Sequence, residues 1–137
     1  MQDPNVQFIV DNPYDSFVTL LDSGRMQQVI TNFVTNAVKY THQGHIRVGY
    51  RYQQEPDGER QGIYMYCEDT GDGIPKEKQK RVFDRFVKLN DFVQGTGLGL
   101  SICKSIAERS NGSIGLESEG EGKGCTFWIW VPCIRMQ

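Results

Sequence analysis

No apolar run in this 137-residue chain approaches the length needed to cross a bilayer. Its first residues, Met1–Gln2–Asp3–Pro4, lack the basic-then-apolar pattern of a secretion signal. C-x-x-C pairs are also missing. The four cysteines stand at 67, 103, 125 and 133, and Cys67, Cys125 and Cys133 lie in or beside apolar runs. That usage reads as buried, reduced thiols in a cytoplasmic domain. Charge of one sign is scarce: 15 Lys and Arg stand against 17 Asp and Glu, with no basic run, which argues against nucleic acid as a partner. His42 and His45 have no cysteine close in sequence and read as loop histidines rather than metal ligands. Neither G-x-x-x-x-G-K-[ST] nor G-x-G-x-x-G occurs, so the chain is neither a P-loop protein nor a dinucleotide binder of the Rossmann type.

What remains is one domain, spanning 1–137, long enough to bury a core without staples. Gln7–Val10 and Phe17–Leu21 are short β-prone runs around the turn signal Asp11–Asn12–Pro13. Asp22 or Ser23 caps a helix running to about Tyr40, with Met26, Val29, Ile30, Phe33, Ala37 and Tyr40 as its apolar stripe. Ile46, Val48, Tyr50 and Tyr52 alternate as on a half-buried strand, Gln53–Gly62 reads as a hairpin loop, and Ile63–Glu68 as a second strand delivering Asp69. A short helix is expected from Pro75 or Lys76 to about Arg81, and another from near Gly97–Leu98 to the stop at Asn111–Gly112. Ser113–Ser118 and Cys125–Val131 read as strands joined by the Gly120–Gly124 turn. The expected architecture is a two-layer α/β sandwich: a mixed sheet of about five strands, covered on one face by about three helices. In the last strand Phe127, Ile129 and Val131 share one side, while Trp128 and Trp130 share the other. Tyr64 and Tyr66 have the parity opposite to Asp69, which predicts an outer aromatic patch suited to docking.

Three segments carry chemistry. In the first helix Gln28, Asn32, Asn36 and Lys39 fall within an arc of about 80°. Asparagine is a poor helix former, so two in mid-helix are costly unless used. An amide oxygen suits Mg²⁺ and a lysine suits phosphate, and Tyr40 can lie against a purine. In Asp69–Thr70–Gly71–Asp72–Gly73–Ile74 a carboxylate ends a strand, where it can accept from an exocyclic amine, and the glycines allow close approach to a flat base. Gly95–Thr96–Gly97–Leu98–Gly99–Leu100 opens a helix and exposes free amide N–H groups, a phosphate cradle.

In this order the segments resemble the ATP-binding catalytic domain of bacterial sensor histidine kinases, over about Val6 to Pro132. Asn32–Tyr40 resembles the N box, Asp69–Ile74 the first glycine box, Phe83–Asp84–Arg85–Phe86 the F box, and Gly95–Leu100 the second glycine box. Gly122–Phe127 is similar to the final glycine-containing hairpin. The resemblance implies a Bergerat-type fold with ATP and Mg²⁺ as cofactors. It implies Asn36 as the Mg²⁺ ligand with Asn32 beside it, Lys39 on a phosphate, Tyr40 on the base, and Asp69 accepting from the adenine amine. It extends the ATP contacts to Gly71, Gly73, Ile74, Phe86, Gly95, Thr96, Gly97, Leu98, Gly99, Leu100 and Thr126, with residues 87–96 as a lid. The family often has arginine where this chain has Lys88, which keeps the charge but loses the bidentate fork.

Kinases of this family carry the phospho-accepting histidine on a separate dimerising helix hairpin. His42 and His45, on a turn after the N box, do not match it. The resemblance therefore implies an excised, monomeric domain of a homodimeric parent, working with that histidine domain and a downstream response regulator. Gyrase-, chaperone- and mismatch-repair-type ATPases share the boxes but place a catalytic Glu one turn before the Mg²⁺-binding Asn. Here that position is Asn32, which cannot act as a base and so favours transfer over hydrolysis. Anti-sigma-type kinases generally place an acidic residue there too. A partner-binding module without catalysis is the remaining reading, against which Asn36, Asp69, Gly97 and Gly99 stand intact.

Overall fold

The computed structural model describes residues 5–83, 99–120 and 122–136. Five strands form one sheet in the order β1-β2-β3-β5-β4: β1 (Val6–Asp11), β2 (Gly44–Gln54), β3 (Gln61–Asp69), β4 (Ser113–Glu117) and β5 (Cys125–Pro132). β1 runs parallel to β2, and the other neighbours are antiparallel. Helices α1 (Ser23–Tyr40), α2 (Lys76–Gln79) and α3 (Gly99–Arg109) complete the α/β fold. Among the described residues no helix is long and apolar enough to cross a membrane.

The Asp22 carboxylate caps α1 by accepting from the Arg25 N–H at 3.0 Å. Met26, Val29, Phe33 and Ala37, spaced by three and four residues, form its buried face. They meet Ile46, Ile63, Cys67, Cys125, Phe127, Ile129 and Val131 from the sheet. Phe127 lies at the centre, stacked on Phe33 at 5.5 Å with Phe83 edge-on at 6.1 Å. α3 contributes Cys103, Ile106 and Ala107, and packs against α1, β4 and β5. It stops as expected: Asn111 takes φ +60°, and the Gly112 N–H donates to the Ala107 carbonyl at 2.9 Å.

Four expectations shift. Phe17–Leu21 is not a strand; its backbone meets the tail, through Met136 N–H to the Val18 carbonyl, while Thr19 Oγ1 donates to the Ile134 carbonyl. Phe17 instead packs its ring among Tyr14, Tyr50 and Tyr52. The β2–β3 loop shortens to residues 55–60 because Glu55 and Arg60 clamp it with a 2.8 Å ion pair. α2 ends at Gln79, short of Arg81, and the Gln79 side chain donates to the Ile74 and Ser118 carbonyls. The tryptophans have the expected outward parity, but Trp130 is fully buried. Its ring lies across Gly62, where a Cβ would stand 2.4 Å from it, under the Arg60 guanidinium, with Nε1 donating to the Gln53 carbonyl. The aromatic patch is thereby reduced to half-buried Trp128, stacked on Tyr64, with Tyr66 beside it.

Candidate functional site

Asp69 ends β3 facing the helices, 6% exposed, opposite Cys125 of β5. Its carboxylate accepts from the Gly71 N–H at 2.8 Å and from the Cys125 N–H. Burial nevertheless pushes its pKa from 3.8 up to about 6; those two bonds oppose the rise, and the Asp72 and Glu68 carboxylates add to it. A buried acceptor with two local donors and remaining lone pairs is suited to receive one further N–H from a ligand.

The turn after Asp69 is wedged between two other segments. The Asp72 N–H donates to the Tyr40 carbonyl at 2.9 Å, and the Gly124 N–H to the Gly71 carbonyl at 3.2 Å. A Cβ on Gly71 would stand 2.3 Å from the Tyr40 oxygen, and one on Gly73, at φ +70°, 2.1 Å from the Gly120 oxygen. The glycines therefore serve first to seat the turn against the end of α1 and the Gly120–Gly124 hairpin. Ile74 is buried, and its N–H donates to Ser118 Oγ at 3.1 Å.

Asn32 and Asn36 stand one turn apart on α1, both half-buried. Asn32 Nδ2 donates to the Gly99 carbonyl at 3.3 Å and approaches Cys103 Sγ at 3.6 Å, so α1 is tied to the first turn of α3. Lys39 is exposed, and Tyr40 and Leu100 are half-buried. The structure thus brings Asn32 and Gly99 together at the α1–α3 contact, with Leu100 against the core, and Tyr40, Gly71 and Asp69 together at the end of α1. Phe86, Lys88, Gly95, Thr96, Gly97 and Leu98, with the lid at 87–96, lie outside the described residues.

Thr126 lies on the other face of the sheet from the Asp69 side chain. It pairs with Glu68 and Glu117 on the outer face, with the parity opposite to Asp69. Its neighbour Cys125 is the β5 residue on the Asp69 side, and the sequence reading missed it. The signal was present, because the alternation that turns Phe127 inward also turns Cys125 inward. Thr126 and Asp69 do share a cavity of about 560 Å³ at the strand ends, also lined by His45, Thr70, Glu117, Glu119 and Lys123. None of Asn32, Asn36, Lys39 and Tyr40 lines it.

Cys67, Cys103 and Cys125 are unpaired and buried, whereas Cys133, expected inside with them, is half-buried. Burial pushes Cys67 up to about 12 and Cys103 to about 11, and Cys125 rises strongly as well, so all three stay protonated. Among the described residues no three His, Cys, Asp or Glu side chains form a metal-holding group. A Mg²⁺ ion keeps most of its ligands as water and substrate oxygens, so one amide oxygen at Asn36 fits what the protein needs to supply.

The family model described as Histidine kinase-, DNA gyrase B-, and HSP90-like ATPase matches residues 21–135. Sensor protein kinase WalK of Staphylococcus aureus (strain MRSA252) is 39% identical, over 97% of this chain and 22% of that protein. Another Staphylococcus aureus WalK sequence gives the same identity over 32% of its length. The chain therefore spans between about a fifth and a third of these curated relatives. Full-length ShkA, solved in complex with AMPPNP, superposes with a TM-score of 0.80 at 29% identity, covering 95% of this chain and 26% of that one. The nucleotide-free catalytic domain of histidine kinase ThkA gives 0.74 at 27%, covering 93% and 80%.

Proposed function

Because the chain belongs to the histidine kinase-, DNA gyrase B- and HSP90-like ATPase family, we propose that it binds Mg-ATP and supplies the γ-phosphoryl group to a histidine on a separate dimerisation domain of a parent sensor kinase, for relay to a response regulator. The observation that carries this reading is the buried Asp69 carboxylate, held by two backbone N–H groups beside the end of the asparagine-bearing helix. Such an acceptor selects a base with an exocyclic amine at that position, which adenine has and guanine lacks. The complex of ShkA with AMPPNP supports the same reading.

The charge distribution orients the nucleotide. Glu68, Asp69, Glu117 and Glu119 face the strand-end cavity against Lys123, which disfavours a polyphosphate there. The phosphates then extend along the α1–α3 side, past Tyr40 and Lys39 toward Asn36 and the start of α3. Asn36 would hold the Mg²⁺ of Mg-ATP through its amide oxygen, and the ion would supply charge neutralisation at the phosphates. Lys39 offsets further charge; Lys88 and Gly97, which lie outside the described residues, would add a second cation and a backbone N–H for the phosphates ahead of Gly99. The acceptor histidine's Nε2 attacks the γ-phosphorus as the bond to the β–γ bridging oxygen breaks, giving phosphohistidine and ADP. Asn32 cannot take a proton from water, which favours transfer over hydrolysis.

Titration calorimetry tests the binding step. ATP with Mg²⁺ is expected to bind, ATP with a chelator more weakly, and GTP more weakly still. Equal affinity for ATP and GTP would remove Asp69 from the base site.

A further inference from the structure

We propose that Asn32 is a positioning residue: its side-chain amide latches the first turn of α3 to the middle of α1, fixing the glycine-opened helix start relative to Asn36. The inference rests on the nucleotide site proposed above, but assigns Asn32 a role other than contact with the metal or the phosphates.

The geometry argues for it at three points. Asn32 Nδ2 donates to the Gly99 carbonyl at 3.3 Å, and Gly99 is the first described residue of α3. The same nitrogen approaches Cys103 Sγ at 3.6 Å, one turn further along α3. Burial keeps Cys103 a neutral thiol, and a neutral sulfur and a carbonyl are both acceptors. The amide nitrogen is thus committed to two atoms of one helical turn. Gly99 and Asn32 are in direct contact: even a Cβ at Gly99 would stand an ordinary 3.4 Å from Asn32 Oδ1. Cys103 in turn leans on the Val29 carbonyl of α1 at 3.9 Å, so the contact is two-sided.

The contact joins residues 67 positions apart in sequence, and both ends belong to segments that should touch phosphate. In an α-helix the Gly99 carbonyl also accepts from the Cys103 N–H. Loss of the Asn32 bond therefore loosens the turn that aims the helix start, while Asn36, one turn away, keeps its own amide. Glutamate at position 32 could not make this latch, because a carboxylate repels a carbonyl oxygen. The asparagine that removes a base from this position is the residue that supplies the donor.

Hydrogen exchange and calorimetry on Asn32→Leu, with Asn32→Ser as a second variant that folds more readily, test the idea. One ordinary hydrogen bond corresponds to about two- to tenfold in an equilibrium constant. In the ligand-free protein, exchange at Cys103 and Lys104 should accelerate by about that factor while the β3 and β5 amides stay unchanged. ATP affinity should fall by a similar factor, and the ratio of affinities with and without Mg²⁺ should be kept. Asn36→Ala should do the reverse, losing the Mg²⁺ ratio with α3 exchange unchanged. Unchanged or uniformly faster exchange in both Asn32 variants would overturn the latch, as would loss of the Mg²⁺ ratio in them. If the wild-type protein bound no ATP, the proposed function would fail, yet the ligand-free exchange comparison would still decide the latch.

Discussion

Asp69→Asn is expected to exchange nucleotide affinity for stability. Burial raises the carboxyl from 3.8 to about 6, so at pH 7.5 the folded protein carries a charge that its surroundings disfavour. A rise of that size corresponds to about 3 kcal/mol. The sign follows from the direction of the shift. The folded protein takes up a proton as pH falls through about 6, whereas the unfolded chain does so only near 3.8. The contribution of this group to stability therefore grows between about pH 6 and 4 and is absent at neutral pH. Asparagine copies the protonated acid in shape and charge, so the variant should recover about 1–3 kcal/mol at pH 7.5. At about 4 °C per kcal/mol for a chain of this size, the melting temperature should rise by about 4–12 °C. The gap between wild type and variant should narrow by about two-thirds by pH 4.5 and close below about pH 3.8. The same change removes a charged acceptor for an exocyclic amine, worth about 1.5–3 kcal/mol, or roughly ten- to hundredfold in ATP affinity. Melting curves at pH 7.5 and 4.5 and titration calorimetry with ATP check both halves. A variant less stable than wild type at pH 7.5, or a gap independent of pH, would refute the burial argument. Unchanged ATP affinity would refute the assignment to the base.

Gly71→Ala should lower the melting temperature and ATP affinity together. Its Cβ would stand 2.3 Å from the Tyr40 oxygen, and forcing the turn away from α1 costs about 1–3 kcal/mol. A variant that melts and binds like wild type would show that the turn has room to spare. Thr41→Val should leave stability equal or higher by about 1 kcal/mol, because the buried Thr41 hydroxyl has no hydrogen-bond partner among the described residues. A clear loss in a melting experiment would mean that the hydroxyl is paired in solution.

Local patterns carried most of the fold. Asp22 with the Met26–Val29–Phe33–Ala37 spacing placed α1, and the alternation of Ile46, Val48 and Tyr50 placed β2. Asp69 was legible because a strand period and a glycine turn meet there. Contacts distant in sequence were not legible. Trp130 disappears because Gly62, on the neighbouring strand, leaves its ring a flat bed, and nothing in the periodicity of β5 records that. The Asn32–Gly99 bond joins two motifs that sequence reading treats one at a time. Phe17–Leu21 has strand-like residues but takes no place in the five-stranded sheet, and its aromatic partners decide its course. Cys125 and Thr126 fall on opposite faces by one-residue parity, which alternation along β5 records.

The central claim, that this domain donates a phosphoryl group to a histidine held elsewhere, is tested most directly with γ-radiolabelled ATP and Mg²⁺. The chain is incubated alone and with the dimerisation and histidine segment of the parent kinase. The account predicts label on the added segment only, acid-labile as a phosphohistidine, and lost when Asn36→Ala replaces the wild-type domain. Label on His42 or His45 of this chain alone, or rapid release of inorganic phosphate without the segment, would contradict it.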